Sequence, residues 1–150
     1  IRRWDLKTLV TGAIKANARE LIAAHVAPVC EDLDYEVFTD EKWLEFILGQ
    51  LIQNSIKYAR EDGAKITFSG ALLDEGLASE RIELTVADNG CGVSAADLPR
   101  VFEKGFTGIG LYLVARLCSK MGIDVTAASE PGEGFVVTFA FSTNKFQYFE

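Results

Sequence analysis

Arg81-Ile-Glu-Leu-Thr-Val-Ala-Asp88-Asn-Gly-Cys-Gly-Val93 decides how this chain is read. Its first seven residues alternate β-formers with polar residues, the mark of a strand with one buried face. That strand ends on a carboxylate, Asp88. Gly90 and Gly92 follow, and their missing Cβ lets backbone come close to a flat ligand. A carboxylate held at a strand end can accept a hydrogen bond from an exocyclic amine such as that of adenine. Upstream, Gln50-Leu-Ile-Gln-Asn-Ser-Ile-Lys-Tyr58 places Gln50, Asn54 and Lys57 together on a helix, because spacings of three, four and seven return to one face. The amide oxygen of Asn54 is a hard donor suited to Mg²⁺. Leu44, Ile47, Leu48 and Leu51 form the adjoining apolar stripe.

The bulk properties bound the reading. A chain of 150 residues, 49% of them apolar, fits one domain with a sizeable core. No window approaches the roughly 18 to 20 consecutive apolar residues of a membrane helix, and Ile1-Arg-Arg-Trp-Asp5 does not open a signal peptide, so a soluble chain is expected. The net charge of −7 gives no electrostatic footprint for nucleic acid. Cys30, Cys91 and Cys118 make neither an even disulfide framework nor a CxxC metal pair, which fits reduced thiols in a cytosolic setting. Cys91 is expected as a small buried apolar residue.

Apolar positions at Leu6, Leu9, Val10, Ile14, Leu21 and Ile22 predict one long amphipathic helix over the first 25 or so residues, capped by Asp5. Short strands follow near His25–Cys30 and Tyr35–Phe38, across an acidic turn. Asp40 caps a second helix that runs to about Tyr58. Lys65–Ser69 and Arg81–Ala87 read as a hairpin-like pair. Ser94 to Asp97 resembles a capping arrangement that leads a short helical turn into Val101-Phe102. Gly108 and Gly110 open a third helix, Leu111–Met121, which Gly122 ends. Strands at Asp124–Ala128 and Gly134–Phe141 flank the turn Glu130-Pro131-Gly132. This order predicts an α+β fold, a two-layer α/β sandwich with helices packed on one face of a mixed sheet. Regular βαβ alternation is missing, which disfavours a Rossmann fold.

Gly108-Ile-Gly110-Leu111 at a helix start is a candidate phosphate site, since free backbone N–H groups would meet the anion. Taken singly, each of these elements has an ordinary explanation: a solvated helix face, a turn, a helix cap. Their order carries more. QLIQNSIKY (50–58), DNGCGV (88–93), VFEKGFTG (101–108) and GIGLYLV (108–114) follow one another as metal, base, lid-hinge and phosphate elements. Together they resemble the N, G1, F and G2 boxes of the ATP-binding catalytic domain of bacterial sensor histidine kinases, within the wider superfamily of gyrase, heat-shock chaperone and mismatch-repair ATPases. The resemblance runs from about Asp5 to Phe141.

That resemblance implies the Bergerat-type ATP-binding fold, with ATP and Mg²⁺ as ligands. By it, Asn54 ligates Mg²⁺, Lys57 lies near the phosphates and Tyr58 lies beside the ribose or base. Asp88 reads the adenine amine, Gly90 and Gly92 shape the adenine pocket, and Val93 and Leu111 belong to the same nucleotide site. Phe102 and Phe106 anchor the base of the ATP lid, Gly108 and Gly110 meet the phosphates, and Lys104 adds charge near the nucleotide. Gln50 stands where the gyrase-type ATPases carry a Glu that activates water. Glutamine cannot take that proton, whereas a neutral imidazole acceptor needs no such base. Gln50 with Lys57 thus points to phosphotransfer.

Two departures qualify the resemblance. VFEKGFTG runs straight into IGLYLV, so the lid expected between Thr107 and Gly108 is missing or shortened. His25, the one histidine, lacks the acidic neighbour of the family's acceptor motif. The implied partners are therefore a dimerisation and histidine-bearing domain outside this chain and, through the parent protein, a response regulator. The fragment is expected as a cytoplasmic monomer, and the parent as a homodimer in the bacterial cell membrane. The alternatives are a non-catalytic nucleotide-binding or interaction module, a hydrolytic ATPase of the same superfamily, and a serine kinase. Trp4 and Trp43 are expected in the core or at an interdomain face, and Ser142–Glu150 forms a tail beyond the resemblance.

Overall fold

The computed structural model of the chain describes residues 1–105, 110–130 and 132–143. In chain order the elements are β1 (Arg2–Asp5), α1 (Leu6–Ala16), α2 (Ala18–Ala23), β2 (Ala27–Glu31), β3 (Glu36–Thr39), α3 (Glu41–Lys57), β4 (Lys65–Leu73) and β5 (Arg81–Asp88). A 3₁₀ turn at Leu98–Arg100, α4 (Gly110–Lys120), β6 (Asp124–Glu130) and β7 (Gly134–Ser142) complete them. Five strands form one mixed sheet in the order β2-β4-β5-β7-β6, with β2 and β4 parallel and the other pairs antiparallel. β1 and β3 make a separate antiparallel ribbon.

Period-2 alternation sets the layers. Ile66 and Phe68 of β4, Ile82, Leu84 and Val86 of β5, and Val137, Phe139 and Phe141 of β7 are all buried on one sheet face. They share a single core with Leu6, Leu9, Val10 and Ala13 of α1, with Leu44, Ile47, Leu48, Leu51 and Ile52 of α3, and with Leu111, Val114 and Cys118 of α4. The expected two-layer arrangement is thus the one observed. α3 begins where the sequence places it: Asp40 accepts the Trp43 N–H at 2.9 Å, satisfying one of the free donors of the first turn.

The first 25 residues differ from the single helix expected. Residues 2–5 are strand, drawn into β1 by pairing with β3. The helix then breaks at Asn17, whose Nδ2 donates back to the Ala13 carbonyl at 2.8 Å while its Oδ1 accepts from Gln53 Nε2 of α3 at 3.0 Å. The break rotates the apolar stripe, so Leu21 is buried but Ile22 is 73% exposed. Asp5 does sit before α1, but its carboxylate accepts the Thr8 hydroxyl at 2.8 Å and makes no bond to a helix N–H. Trp4 packs against the core from a half-buried position, whereas Trp43 stays exposed.

Candidate functional site

β5 carries Asp88 to the sheet end beside α3, and there its carboxylate is fixed by three donors from three segments. Oδ2 accepts from the buried Ser55 hydroxyl of α3 at 3.0 Å. Oδ1 accepts from Gly90 N–H at 3.0 Å and from Phe135 N–H of β7 at 3.2 Å. An ionised carboxylate offers about four acceptor sites, so three bonds lock its orientation and leave Oδ2 with room for one more. Asp88 lines a cleft with Asn54, Tyr58, Gly92, Val93, Val101, Leu111 and Phe135. About 370 Å³ of this cleft is unfilled, its mouth included. A concave apolar slot with few directed polar groups is the usual form of a small-molecule site.

The turn after Asp88 is stapled on both sides. Cys91 N–H donates to the Tyr58 carbonyl at the end of α3, and the Cys91 carbonyl accepts from Gly132 N–H. Asn89 turns outward, accepting from Lys65 N–H at 2.8 Å and donating to the Gly63 carbonyl at 2.9 Å. Val93 N–H donates to Ser129 Oγ at 2.8 Å, and that hydroxyl donates on to the Gly134 carbonyl. Two glycines are required by space: a Cβ on Gly90 would meet the Tyr58 carbonyl oxygen, and one on Gly134 the Asp88 carbonyl. Gly92 is required by conformation, with φ of 68°. Cys91 is exposed, not the buried apolar residue expected, because the turn that holds its backbone aims its side chain outward.

Around this pocket the other expected residues divide. Asn54 sits half-buried in the cleft wall, and its side-chain amide has no hydrogen-bond partner among the described residues. Its single oxygen fits Mg²⁺ only as one ligand of six, the others coming from phosphate and water. Gln50 holds its Oε1 against Gly110, the first residue of α4, where a Cβ would require the Gln50 side chain to shift. Lys57 is exposed, its ammonium 5.2 Å from the centre of the Tyr58 ring, and Tyr58 keeps 41% of its surface. Phe102 is half-buried against the core, next to the fully enclosed Val101. Lys104 is exposed and lies 6.0 Å from the Tyr112 ring, whose hydroxyl accepts from Arg116 at 3.3 Å. That hydrogen bond is the main reason the Tyr112 phenol lies below its ordinary pKa. Phe106 and Gly108, and with them the expected lid position between Thr107 and Gly108, lie outside the described residues.

Four contributors escaped sequence reading: Ser55, Val101, Gly134 and Phe135. Ser55 had a weak signal, since a small hydroxyl on the apolar stripe of α3 needs a polar partner once buried. Val101 begins the VFEKGFTG segment already associated with the site, and Gly134 and Phe135 reach it from β7, whose proximity only the folded sheet creates.

Comparison with known proteins adds lineage. Residues 39–145 match the family described as histidine kinase-, DNA gyrase B- and HSP90-like ATPase. Sensor histidine kinase YxdK of Bacillus subtilis is 34% identical over 157 aligned residues, covering 95% of this chain and 46% of YxdK. The chain thus spans about half of that relative. The alignment is also longer than the 150 residues of this chain, so YxdK carries residues across the match that this chain lacks. Among solved structures, histidine kinase AdeS of Acinetobacter baumannii superposes with a TM-score of 0.80 at 24% identity, over 96% of this chain and 68% of that one. Full-length ShkA in complex with AMPPNP gives 0.78 at 24%, over 93% and 31%. At such identity both likenesses bear on the fold.

Proposed function

This chain belongs to the histidine kinase-, DNA gyrase B- and HSP90-like ATPase family, and from that premise we propose that it binds Mg·ATP and donates the γ-phosphoryl to a histidine on a separate domain of a sensor kinase. The observation that carries the reading is Asp88, a carboxylate fixed by three uncharged donors with one acceptor position left beside an apolar slot. That arrangement selects a flat ring bearing an amine, and adenine has one. Val93, Val101, Leu111 and Phe135 supply apolar walls for the ring. Asn54 would hold the Mg²⁺, which neutralises phosphate charge when bound. By the resemblance, Lys57, Lys104 and the start of α4 would meet the phosphates.

In the transfer, the lone pair of a neutral imidazole nitrogen forms a bond to the γ-phosphorus as the bond to the β,γ-bridging oxygen breaks. ADP leaves with the electron pair, and the second ring nitrogen gives its proton to water. Catalysis of such a step is chiefly positioning and charge stabilisation. Gln50 cannot accept a proton from water, which favours transfer over hydrolysis. VFEKGFTG runs straight into IGLYLV, which supports a lid missing or shortened between Thr107 and Gly108. The remaining parts of the reading are a histidine-bearing dimerisation domain, a response regulator, and a membrane-anchored parent that presents this domain to the cytoplasm. YxdK extends well beyond the region matched here, which leaves room for such parts.

The test is calorimetric titration with ADP and GDP in the presence of Mg²⁺, on the native chain and on Asp88→Asn. Asparagine keeps the shape but turns one acceptor into a donor. Adenine-selective binding weakened at least about tenfold by Asp88→Asn, the scale of one lost hydrogen bond to a charged group, supports the reading. Equal affinity for ADP and GDP, or an indifferent variant, refutes it.

A further inference from the structure

α3 presents two kinds of surface. Leu44, Ile47, Leu48, Leu51, Ile52 and Ser55 are buried. At about 100° per residue the opposite side carries Trp43, Phe46, Gln50, Gln53 and Lys57, and Trp43, Gln50 and Lys57 recur every seven residues, within about 40° of one line. Trp43 is 38% exposed and Phe46 40% exposed. Ile22 on α2 and Leu77 in the β4–β5 connection, two of the other exposed apolar side chains among the described residues, lie on separate elements, as scattered surface apolar residues ordinarily do. Trp43 and Phe46 instead lie one turn apart, where their side chains are neighbours on the helix.

What they adjoin gives this patch its meaning. From Trp43, two turns along α3, about 10 Å, lead to Gln50, which abuts Gly110 at the start of α4. One more turn leads to Asn54 in the cleft wall, and the line ends at the exposed Lys57. A chain of net charge −7 thus shows a stripe without an acidic residue that joins two aromatic anchors to the proposed phosphate end of the nucleotide site.

We propose that the Trp43–Phe46 stripe of α3 is the docking surface for a helix of the histidine-bearing domain, which packs its apolar side on the two rings and so brings its imidazole to the cleft. This rests on the phosphotransfer reading. An acceptor nitrogen must come within about 3.5 Å of the reacting phosphorus, so its carrier has to lie against a surface continuous with the cleft mouth. Helix-on-helix docking uses apolar anchors at three- and four-residue spacing, and Trp43 and Phe46 have that spacing. Lys57, at the far end and without an acidic partner among the described residues, suits a partner helix with a carboxylate at the corresponding end.

The experiment compares Phe46→Glu, Trp43→Gln and the control Ile22→Glu. ADP affinity is measured by calorimetry on the 150-residue chain, and the initial rate of histidine phosphorylation on the full-length protein that contains it. For Phe46→Glu and Trp43→Gln the expected result is ADP affinity within about twofold of native and a phosphorylation rate at least about tenfold lower, the scale of a lost aromatic anchor. Ile22→Glu leaves both unchanged. A native phosphorylation rate in the two stripe variants overturns the proposal, and so does an equal fall in Ile22→Glu. Should sedimentation show that the isolated chain self-associates and that Phe46→Glu abolishes it, the occupant is a second copy and the proposal also fails. A native chain that does not bind ADP defeats the nucleotide reading itself, a result distinct from the others.

Discussion

Replacing Gly90 by alanine separates steric need from conformational need at the Asp88 end of the cleft. Gly90 does not have a positive φ, so alanine meets no backbone strain there. Its Cβ would fall on the Tyr58 carbonyl oxygen, a backbone atom at the end of α3 that cannot rotate aside. The turn must back away from α3, which breaks the 3.2 Å bond from Cys91 N–H to that oxygen and strains the Gly90 N–H bond to Asp88. Overpacking costs about 1–3 kcal/mol and a lost internal hydrogen bond about 0.5–1.5 kcal/mol. Gly90→Ala should therefore destabilise the chain by roughly 2–4 kcal/mol and weaken ADP binding as Asp88 tilts. Gly12→Ala in α1 is the matched control: its Cβ would meet nothing within 4 Å, so helix propensity predicts a gain of about 1 kcal/mol. Urea unfolding of both variants, with ADP titration of each, measures the contrast. If Gly90→Ala unfolds at the native urea concentration and binds ADP as the native chain does, the steric account of the turn is wrong.

Two further predictions probe other parts of the molecule. Native chain without an acceptor should not turn over ATP steadily, whereas Gln50→Glu, which places a carboxylate beside Gly110, should raise hydrolysis toward the roughly 10²-fold that a positioned base supplies; a phosphate-release assay in which the native chain already matches the variant would sink this assignment. Burial pushes the Cys118 thiol up to about 12, while Cys30 and Cys91 are exposed. A thiol reagent at mildly alkaline pH should therefore modify two cysteines in the folded chain and three in denaturant, with mass spectrometry as the readout. Because the folded Cys118 pKa lies above the unfolded value, its contribution to stability is complete below about pH 9 and declines as pH rises toward 12. Rapid modification of Cys118 in the native state would contradict its enclosure.

What the sequence made legible was local in origin. β5 and α3 announce themselves because alternation in Arg81–Asp88 and the helical stripe from Leu44 to Ser55 report burial within a few residues of each other. Asp40 works as a cap because its acceptor and the Trp43 donor are three residues apart. The misread parts depend on distant partners. Asn17 after Lys15 is a weak helix-end signal that the apolar positions continuing to Ile22 outweigh in sequence, and the break is fixed in the fold where Gln53 donates to its amide oxygen. Arg2 to Asp5 has no strand pattern of its own and becomes one only against β3. The parallel pairing of β2 with β4 is likewise invisible in either strand alone.

The same division runs through the candidate site. Asp88 could be singled out because a carboxylate, a strand end and two glycines sit together in sequence, and each has a chemical reason to be there. Its orientation could not, because the donors that set it come from α3, the turn and β7. Ser55 and Phe135 never touch each other's segment in sequence, yet between them they determine which carboxylate oxygen is spent on the fold and which is left for a ligand. Gly134 makes the point most sharply. It has φ of 117° and no room for a Cβ beneath the Asp88 carbonyl, yet in sequence it reads only as the first residue of a strand after the Glu130-Pro131-Gly132 turn. In the folded chain it is the clearance that lets β7 approach closely enough for the Phe135 N–H to reach Asp88. The shape of this cleft therefore rests on one residue the motif names, Asp88, and on several that only the sheet order β5-β7-β6 brings beside it.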